Sequence, residues 1–284
     1  MTSIETVGVV GAGFMGTGIA ESAARAGLAV HVYEPDAAAL ERSRGRIEQS
    51  VARAIGGGKL TEQEGTALID RVAWTEDLAA LAPAQVVVEA IVEDPDVKAE
   101  VFGRMDTTLP DALILASNTS SIPIAQLAAA TARPERVVGL HFFSPVPVMR
   151  LVEVVVGLDS APQAVNTALA FAAQIGKTAI RTKDRSGFIV NMLLVPYLMA
   201  AVRMYEDGFA TREDIDEGMK LGAGHPMGPL TLADFIGLDV LYAVCDSLYE
   251  EFKQPEYAPP PLMKRMVAAG RLGRKTGKGF YDYE

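Results

Sequence analysis

Three histidines stand in this chain, and only His141 is followed at strand-return spacing by a carboxylate. It ends the apolar run Val137-Val138-Gly139-Leu140-His141. A proline-rich loop, Ser144-Pro145-Val146-Pro147, then leads into Leu151-Val152-Glu153-Val154, where Glu153 interrupts a second apolar run. A carboxylate in such a run is expensive to bury unless it is paired, and a returning strand could bring it beside His141. Imidazole titrates near neutrality, so a positioned histidine can take a hydroxyl proton while hydride leaves the carbon. Glu153 would fix the tautomer and stabilise the imidazolium. On spacing alone, a core histidine and an unrelated glutamate fit equally well. His31, inside a strand, and His225, in the turn Gly224-His225-Pro226, read as structural.

The second chemical signal lies at the start of the chain. A β-rich stretch over 6–10 runs into Gly11-Ala12-Gly13-Phe14-Met15-Gly16, followed by small, helix-compatible residues. In a strand-turn-helix setting, the first glycine permits the turn, the second lets the backbone approach a pyrophosphate, and the third packs helix against strand. The helix N-terminus, opening at Phe14 and Met15, offers unpaired N–H groups and a favourable dipole to phosphates. Glu34 follows Gly16 by 18 positions at the end of the next strand, where it can accept from both ribose hydroxyls and would repel a 2′-phosphate. NAD is therefore expected over NADP. A glycine turn in an unrelated α/β protein is the alternative.

These residues need a scaffold, and 284 residues allow two domains or one large α/β unit. Short apolar strands over 86–90, 113–116, 137–141 and 152–156 join those at 6–10 and 29–33, with helical patterning at 37–54 and 61–70 between them. This alternation predicts a Rossmann-type, mainly parallel sheet with helices on both faces over residues 1–184. From 185 to 284 the pattern turns helical, over 188–206, 212–221, 229–252 and 261–269, with Pro196 expected to bend the first of these. The polar, turn-prone stretch around Asp184 marks the boundary.

Composition excludes several classes. A formal charge of −10 argues against a broad nucleic-acid surface, so any anionic ligand must meet a local basic patch. The one cysteine, Cys245, cannot form an intrachain disulfide, and no His/Cys cluster has metal-site spacing, so no metal is expected and a cytoplasmic setting fits. The opening run lacks the cationic start of a secretory signal, and no uninterrupted apolar stretch reaches the roughly 18 residues of a membrane span. The helical region carries more apolar surface than about 100 residues bury alone, which predicts a homodimer through it.

The segments Ala116-Ser-Asn-Thr-Ser-Ser121, Gly139-Leu-His-Phe-Phe-Ser-Pro-Val-Pro-Val-Met149, Leu151-Val-Glu-Val154, Gly187-Phe-Ile-Val-Asn191, Gly224-His-Pro-Met-Gly-Pro229 and Leu272-Gly-Arg-Lys-Thr-Gly-Lys-Gly-Phe-Tyr281 together resemble the L-3-hydroxyacyl-CoA dehydrogenase family over nearly the whole chain. The compact size resembles its stand-alone bacterial-type members, the 3-hydroxybutyryl-CoA dehydrogenases. The resemblance implies NAD-dependent interconversion of a short-chain (S)-3-hydroxyacyl-CoA and its 3-ketoacyl-CoA, 3-hydroxybutyryl-CoA and acetoacetyl-CoA foremost. It makes His141 the general base and Glu153 its partner, with Ser120 and Asn191 bonding the reacting oxygens or thioester carbonyl across an interdomain cleft. Glu93, Lys98 and Lys275 match positions near the cofactor, although both lysines fit ordinary solvated surface equally well.

Two departures stand out. Ser144 occupies a position where the family commonly has asparagine, which shortens one polar contact near the nicotinamide or substrate. Gly57 stands where the family often has a lysine. The basic helix bearing Arg42, Arg44, Arg46 and Arg53, with Lys59 beyond it, remains a candidate for the CoA phosphates, Ser50, Arg53 and Lys59 first. A solvated helix face is the alternative there. A dehydrogenase of a free hydroxy or sugar acid and a non-catalytic NAD-binding protein are the rival readings.

Overall fold

The computed structural model describes residues 3–283, so the first two residues of the opening run and the last residue of the helical region lie outside the described chain. The chain divides into two compact units, Met1–Asp184 and Arg185–Glu284.

The first unit runs β1 (Thr6–Val10), α1 (Phe14–Arg25), β2 (Ala29–Tyr33), α2 (Ala37–Gly56), α3 (Glu62–Asp70), β3 (Val72–Thr75), β4 (Val86–Glu89), α4 (Pro95–Thr108), β5 (Ile114–Ser117), α5 (Ile124–Ala128), β6 (Val137–Phe142), β7 (Leu151–Val156), α6 (Pro162–Gln174) and β8 (Thr178–Lys183). The eight strands form one sheet in the order β3-β2-β1-β4-β5-β6-β7-β8. Every residue of β4, β5 and β6 is buried, as unalternating apolar strands covered on both faces should be. All pairings are parallel except β6 with β7. The mainly parallel Rossmann-type sheet expected from the sequence is thus present.

Helix ends follow local chemistry. Thr61 and Glu64 form a capping box at α3, and Asp36 and Asp94 cap α2 and α4 through their side chains. The buried face of α1, with Ile19, Ala20, Ala23 and Ala24, packs into a core shared with Val7, Val9, Val30 and Val32. Burying each of the larger aliphatics contributes about 1.5–3 kcal/mol, before the cost of ordering the chain.

The second unit holds α7 (Val190–Glu206), α8 (Arg212–Ala223), α9 (Pro229–Ile236), α10 (Leu238–Phe252) and α11 (Pro261–Ala268). Leu198, Val202, Leu230, Leu238, Leu241, Leu248 and Met263 lie at its core. Two expectations are corrected. The helix over 229–252 is two helices, because Gly237 takes φ 99° and breaks the run. The first helix starts at Val190 rather than 188, since Phe188 sits at φ 49°, outside helical space. Pro196 lies inside α7 without ending it. Among the described residues, no helix is long and apolar enough to cross a membrane.

Candidate active site

The candidate catalytic pair is built by the one antiparallel step in the sheet. Because β7 runs back along β6, residues pair across the ladder in register, and His141 lies opposite Glu153. The imidazole Nδ1 stands 2.7 Å from Glu153 Oε2. Glu153 is fully buried and His141 is 6% exposed, so the bond operates away from bulk water. Nδ1–H donating to the carboxylate corresponds to the tautomer with an unprotonated Nε2, the one a proton abstraction needs. The Phe143 ring packs at 4.6 Å from the imidazole and limits its rotation.

Beside His141, the loop after β5 carries Ser120. Asn118 Oδ1 accepts the Phe142 N–H at 3.0 Å, tying this loop to the end of β6. Glu93 holds the loop from the other side: its Oε1 accepts the Ser120 N–H at 3.1 Å and the Ser121 hydroxyl at 3.2 Å, and the Thr119 hydroxyl donates to it as well. Burial opposes ionisation of Glu93, but the Lys98 ammonium, the Thr119 hydroxyl and the Ser120 N–H outweigh it and hold its carboxyl below the usual glutamate value.

Lys98 is not solvated surface. It is 1% exposed, with Nζ 2.5 Å from Glu89 Oε1 and 3.2 Å from Glu93 Oε2. Of these three groups only Glu93 reaches solvent. Glu89 went unnoticed in the sequence, yet it interrupts the apolar run of β4 just as Glu153 interrupts β7, and that shared signal could have found it. Asn118 lies within the Ala116–Ser121 segment, where no spacing marks its bond to the end of β6. Lys275, by contrast, is a half-exposed side chain in the second unit, ion-paired to Asp239 at 2.5 Å. Asn191 stands in the first turn of α7, also in that unit.

At the first turn of the chain, Gly11 takes φ 107°, and a Cβ there would meet Ala90 O at 2.6 Å. A Cβ on Gly16 would meet Gly11 O at 1.9 Å, while Gly13 is exposed and its nearest neighbour would be 4.0 Å away. Only Gly13 thus faces open space, where a ligand backbone could approach. No side chain caps α1 there, and first-turn N–H groups that lack a side-chain cap suit an anionic ligand. Glu34 Oε2 accepts the Ala12 N–H at 3.1 Å, which sets the carboxylate beside the glycine turn. The turn lies between β1 and β4, where the strand order reverses and open α/β sheets bind their ligands. These residues fit a dinucleotide.

The loop over 143–150 is pinned by Lys177, whose Nζ donates to Val146 O at 2.5 Å and Met149 O at 2.9 Å. Burial, reinforced by the Arg25 charge, holds this ammonium below the ordinary lysine value. Ser144 is exposed on the same loop. Of the candidate CoA contacts, Ser50 is half-buried and donates to Glu21 at 2.7 Å. Arg53 and Lys59 are exposed. Arg42 and Arg44 pair with Asp36 and Glu41 on the surface of α2.

Two family models match the chain: 3-hydroxyacyl-CoA dehydrogenase, NAD binding domain, over residues 6–185, and 3-hydroxyacyl-CoA dehydrogenase, C-terminal domain, over residues 187–283. A 3-hydroxybutyryl-CoA dehydrogenase of Mycobacterium tuberculosis is 54% identical over 284 residues, 99% of each chain. The crystal structure of M. tuberculosis FadB2 is similar at a TM-score of 0.98 and 53% identity, covering 100% of both chains. That of (S)-3-hydroxybutyryl-CoA dehydrogenase from Ralstonia eutropha gives 0.94 and 45% identity, over 99% of this chain and 100% of the other.

Proposed function

The chain belongs to the 3-hydroxyacyl-CoA dehydrogenase family, and from that premise we propose that it interconverts (S)-3-hydroxybutyryl-CoA and acetoacetyl-CoA with NAD, using His141 as general base. The observation that carries this reading is the buried 2.7 Å contact between His141 Nδ1 and Glu153 Oε2. With Nδ1–H committed to Glu153, Nε2 takes the substrate hydroxyl proton, and the carboxylate stabilises the imidazolium that forms. Bound NAD would supply the acceptor for the hydride leaving the carbinol carbon. In the reverse direction the imidazolium returns its proton to the forming hydroxyl.

The glycine turn Gly11, Gly13 and Gly16 with the N-terminus of α1 would hold the pyrophosphate, and Glu34 the adenosine ribose. Glu93, partly exposed beside the Ser120 loop, would be a further contact of the cofactor. Ser120 and Asn191 would hydrogen-bond the reacting oxygen and the thioester carbonyl. Arg53 and Lys59, exposed cations of an acidic chain, are the groups offered to the CoA phosphates. Ser144 and Lys275 would be further cofactor contacts, with the Lys275 ammonium paired to Asp239.

The second unit is assigned to the substrate side and to a homodimer interface, because Leu193, Phe209 and Leu221 there are 71%, 79% and 78% exposed. A reducing cytoplasm suits the single thiol, Cys245, which is buried. Initial rates with acetoacetyl-CoA, longer 3-ketoacyl-CoAs and free 3-keto acids, each with NADH and NADPH, test the assignment. Preference for NADH with acetoacetyl-CoA is expected, and preference for a free acid would overturn the CoA half.

A further inference from the structure

Glu89 is fully buried at the end of β4 and takes no part in the proton transfer described above, yet it is the point from which the Ser120 loop is held. We propose that Glu89 is a positioning residue for the reaction, fixing Ser120 through two hydrogen-bonded routes that meet at Thr119. The inference rests on the reading of Ser120 as a substrate contact.

The first route runs through hydroxyl groups. Glu89 Oε2 accepts the Ser117 hydroxyl at 2.7 Å, and Ser117 Oγ in turn accepts the Thr119 N–H at 3.1 Å. Ser117 is 0% and Thr119 1% exposed, so water cannot substitute for either partner. Thr119 Oγ1 then accepts the N–H groups of Ser121 and Ile122, at 3.2 and 2.9 Å, closing the turn around Ser120.

The second route passes through charge. Glu89 Oε1 holds Lys98 at 2.5 Å, and Lys98 reaches Glu93 Oε2 at 3.2 Å. The other oxygen of Glu93 accepts the Ser120 N–H and the hydroxyls of Thr119 and Ser121. One ammonium therefore bridges two carboxylates, and the division of its charge between them sets where Glu93 sits. Glu89 also fixes its own surroundings, accepting the Ile91 N–H at 2.7 Å while its backbone carbonyl accepts the Asn118 N–H at 2.9 Å. Asn118 is the residue whose side chain binds the backbone beside His141.

Neutralising Glu89 leaves Lys98 with Glu93 as its remaining opposite charge. A buried ammonium so deprived is strongly unfavourable, and the partly exposed Glu93 is the group free to move toward it, away from the Ser120 N–H. Displacements of about 1 Å at a reacting contact cost as much as about 100-fold in rate.

The test is a double-mutant cycle on the full chain, with E89Q, S120A and E89Q/S120A assayed for kcat and KM with acetoacetyl-CoA and NADH. Rates are normalised to folded sites by NADH titration. E89Q is expected to lower kcat by about tenfold or more, S120A likewise, and the double variant to fall within about twofold of the weaker single variant. If the losses multiply, or if E89Q keeps wild-type kcat per folded site, Glu89 does not act through Ser120 and the proposal is overturned alone. If S120A itself is silent, the substrate role of Ser120 fails and the proposal falls with it. Should E89Q not fold, E89Q/K98M removes both charges together, a change buried pairs often tolerate. It takes the place of E89Q in the cycle, with the same outcomes.

Discussion

Glu153 sits across the β6–β7 ladder from His141, and its Oε2 lies 2.7 Å from the imidazole Nδ1 with both side chains closed to solvent. Replacing His141 with alanine removes the base and should abolish turnover while NADH still binds. E153Q is the sharper test. A glutamine amide can donate to Nδ1 and so favour the tautomer with a proton already on Nε2. In the oxidation direction, where Nε2 must accept the proton, we expect kcat for (S)-3-hydroxybutyryl-CoA to fall about 10²–10⁴-fold, with its KM little changed. Wild-type kcat in E153Q would remove Glu153 from the mechanism.

The glycine turn separates two kinds of glycine. In G16A the new methyl would stand 1.9 Å from Gly11 O, so the turn must break, and loss of soluble protein or of several degrees in Tm is expected. In G13A the methyl meets nothing closer than 4.0 Å, so the fold should keep its Tm. That methyl occupies the approach to the α1 N-terminus, and NADH affinity measured by fluorescence should weaken about tenfold or more. Unchanged affinity in G13A would move the pyrophosphate elsewhere.

Much of this was legible because the chemistry breaks a pattern. Three glycines between an apolar strand and a small-residue helix, and a glutamate inside an apolar strand, are visible without coordinates. The sheet's two edges were not. β3 has one buried residue of four, and β8, Thr-Ala-Ile-Arg-Thr-Lys, has none of its six, so neither shows the apolar run of the central strands. Lys98 reads as a charged residue on a polar helix, and its burial depends on Glu89, nine positions away on a different element. Periodicity does not record such a pairing. The division of 229–252 into two helices likewise turns on Gly237, whose left-handed φ outweighs the helix formers on both sides.

Glu93 gives a pH signature with a definite sign. Its carboxyl is held below the ordinary glutamate value of about 4.5, so its folded-state pKa is depressed and its contribution to stability is present above that value. It is lost as pH falls from about 4.5 through the folded-state pKa. The Tm difference between wild type and E93Q should therefore be constant from neutrality to about pH 5 and shrink below it. The side chain is 41% exposed, so the difference should also decline in high salt. A gap that widens on acidification would contradict the depressed pKa.

The homodimer is the last assignment open to direct measurement. Phe209, just before α8, and Leu221, in its last turn, are 79% and 78% exposed, while Ile215 on that helix is 7% exposed. Ile215 thus marks an inner face of the helix, while Leu221 on it and Phe209 just before it are left uncovered. Burying a large apolar side chain contributes about 1.5–3 kcal/mol, so several such groups on each of two copies supply a substantial share of what association requires. Placing a charge at the centre of that contact reverses the sign, because two carboxylates related by the dimer axis must be desolvated without partners. Sedimentation velocity at micromolar concentration should show a dimer for the wild type and a monomer for F209D/L221D, with circular dichroism unchanged. A wild-type monomer would end the dimer assignment, and a dimer persisting in the double variant would move the interface off this face.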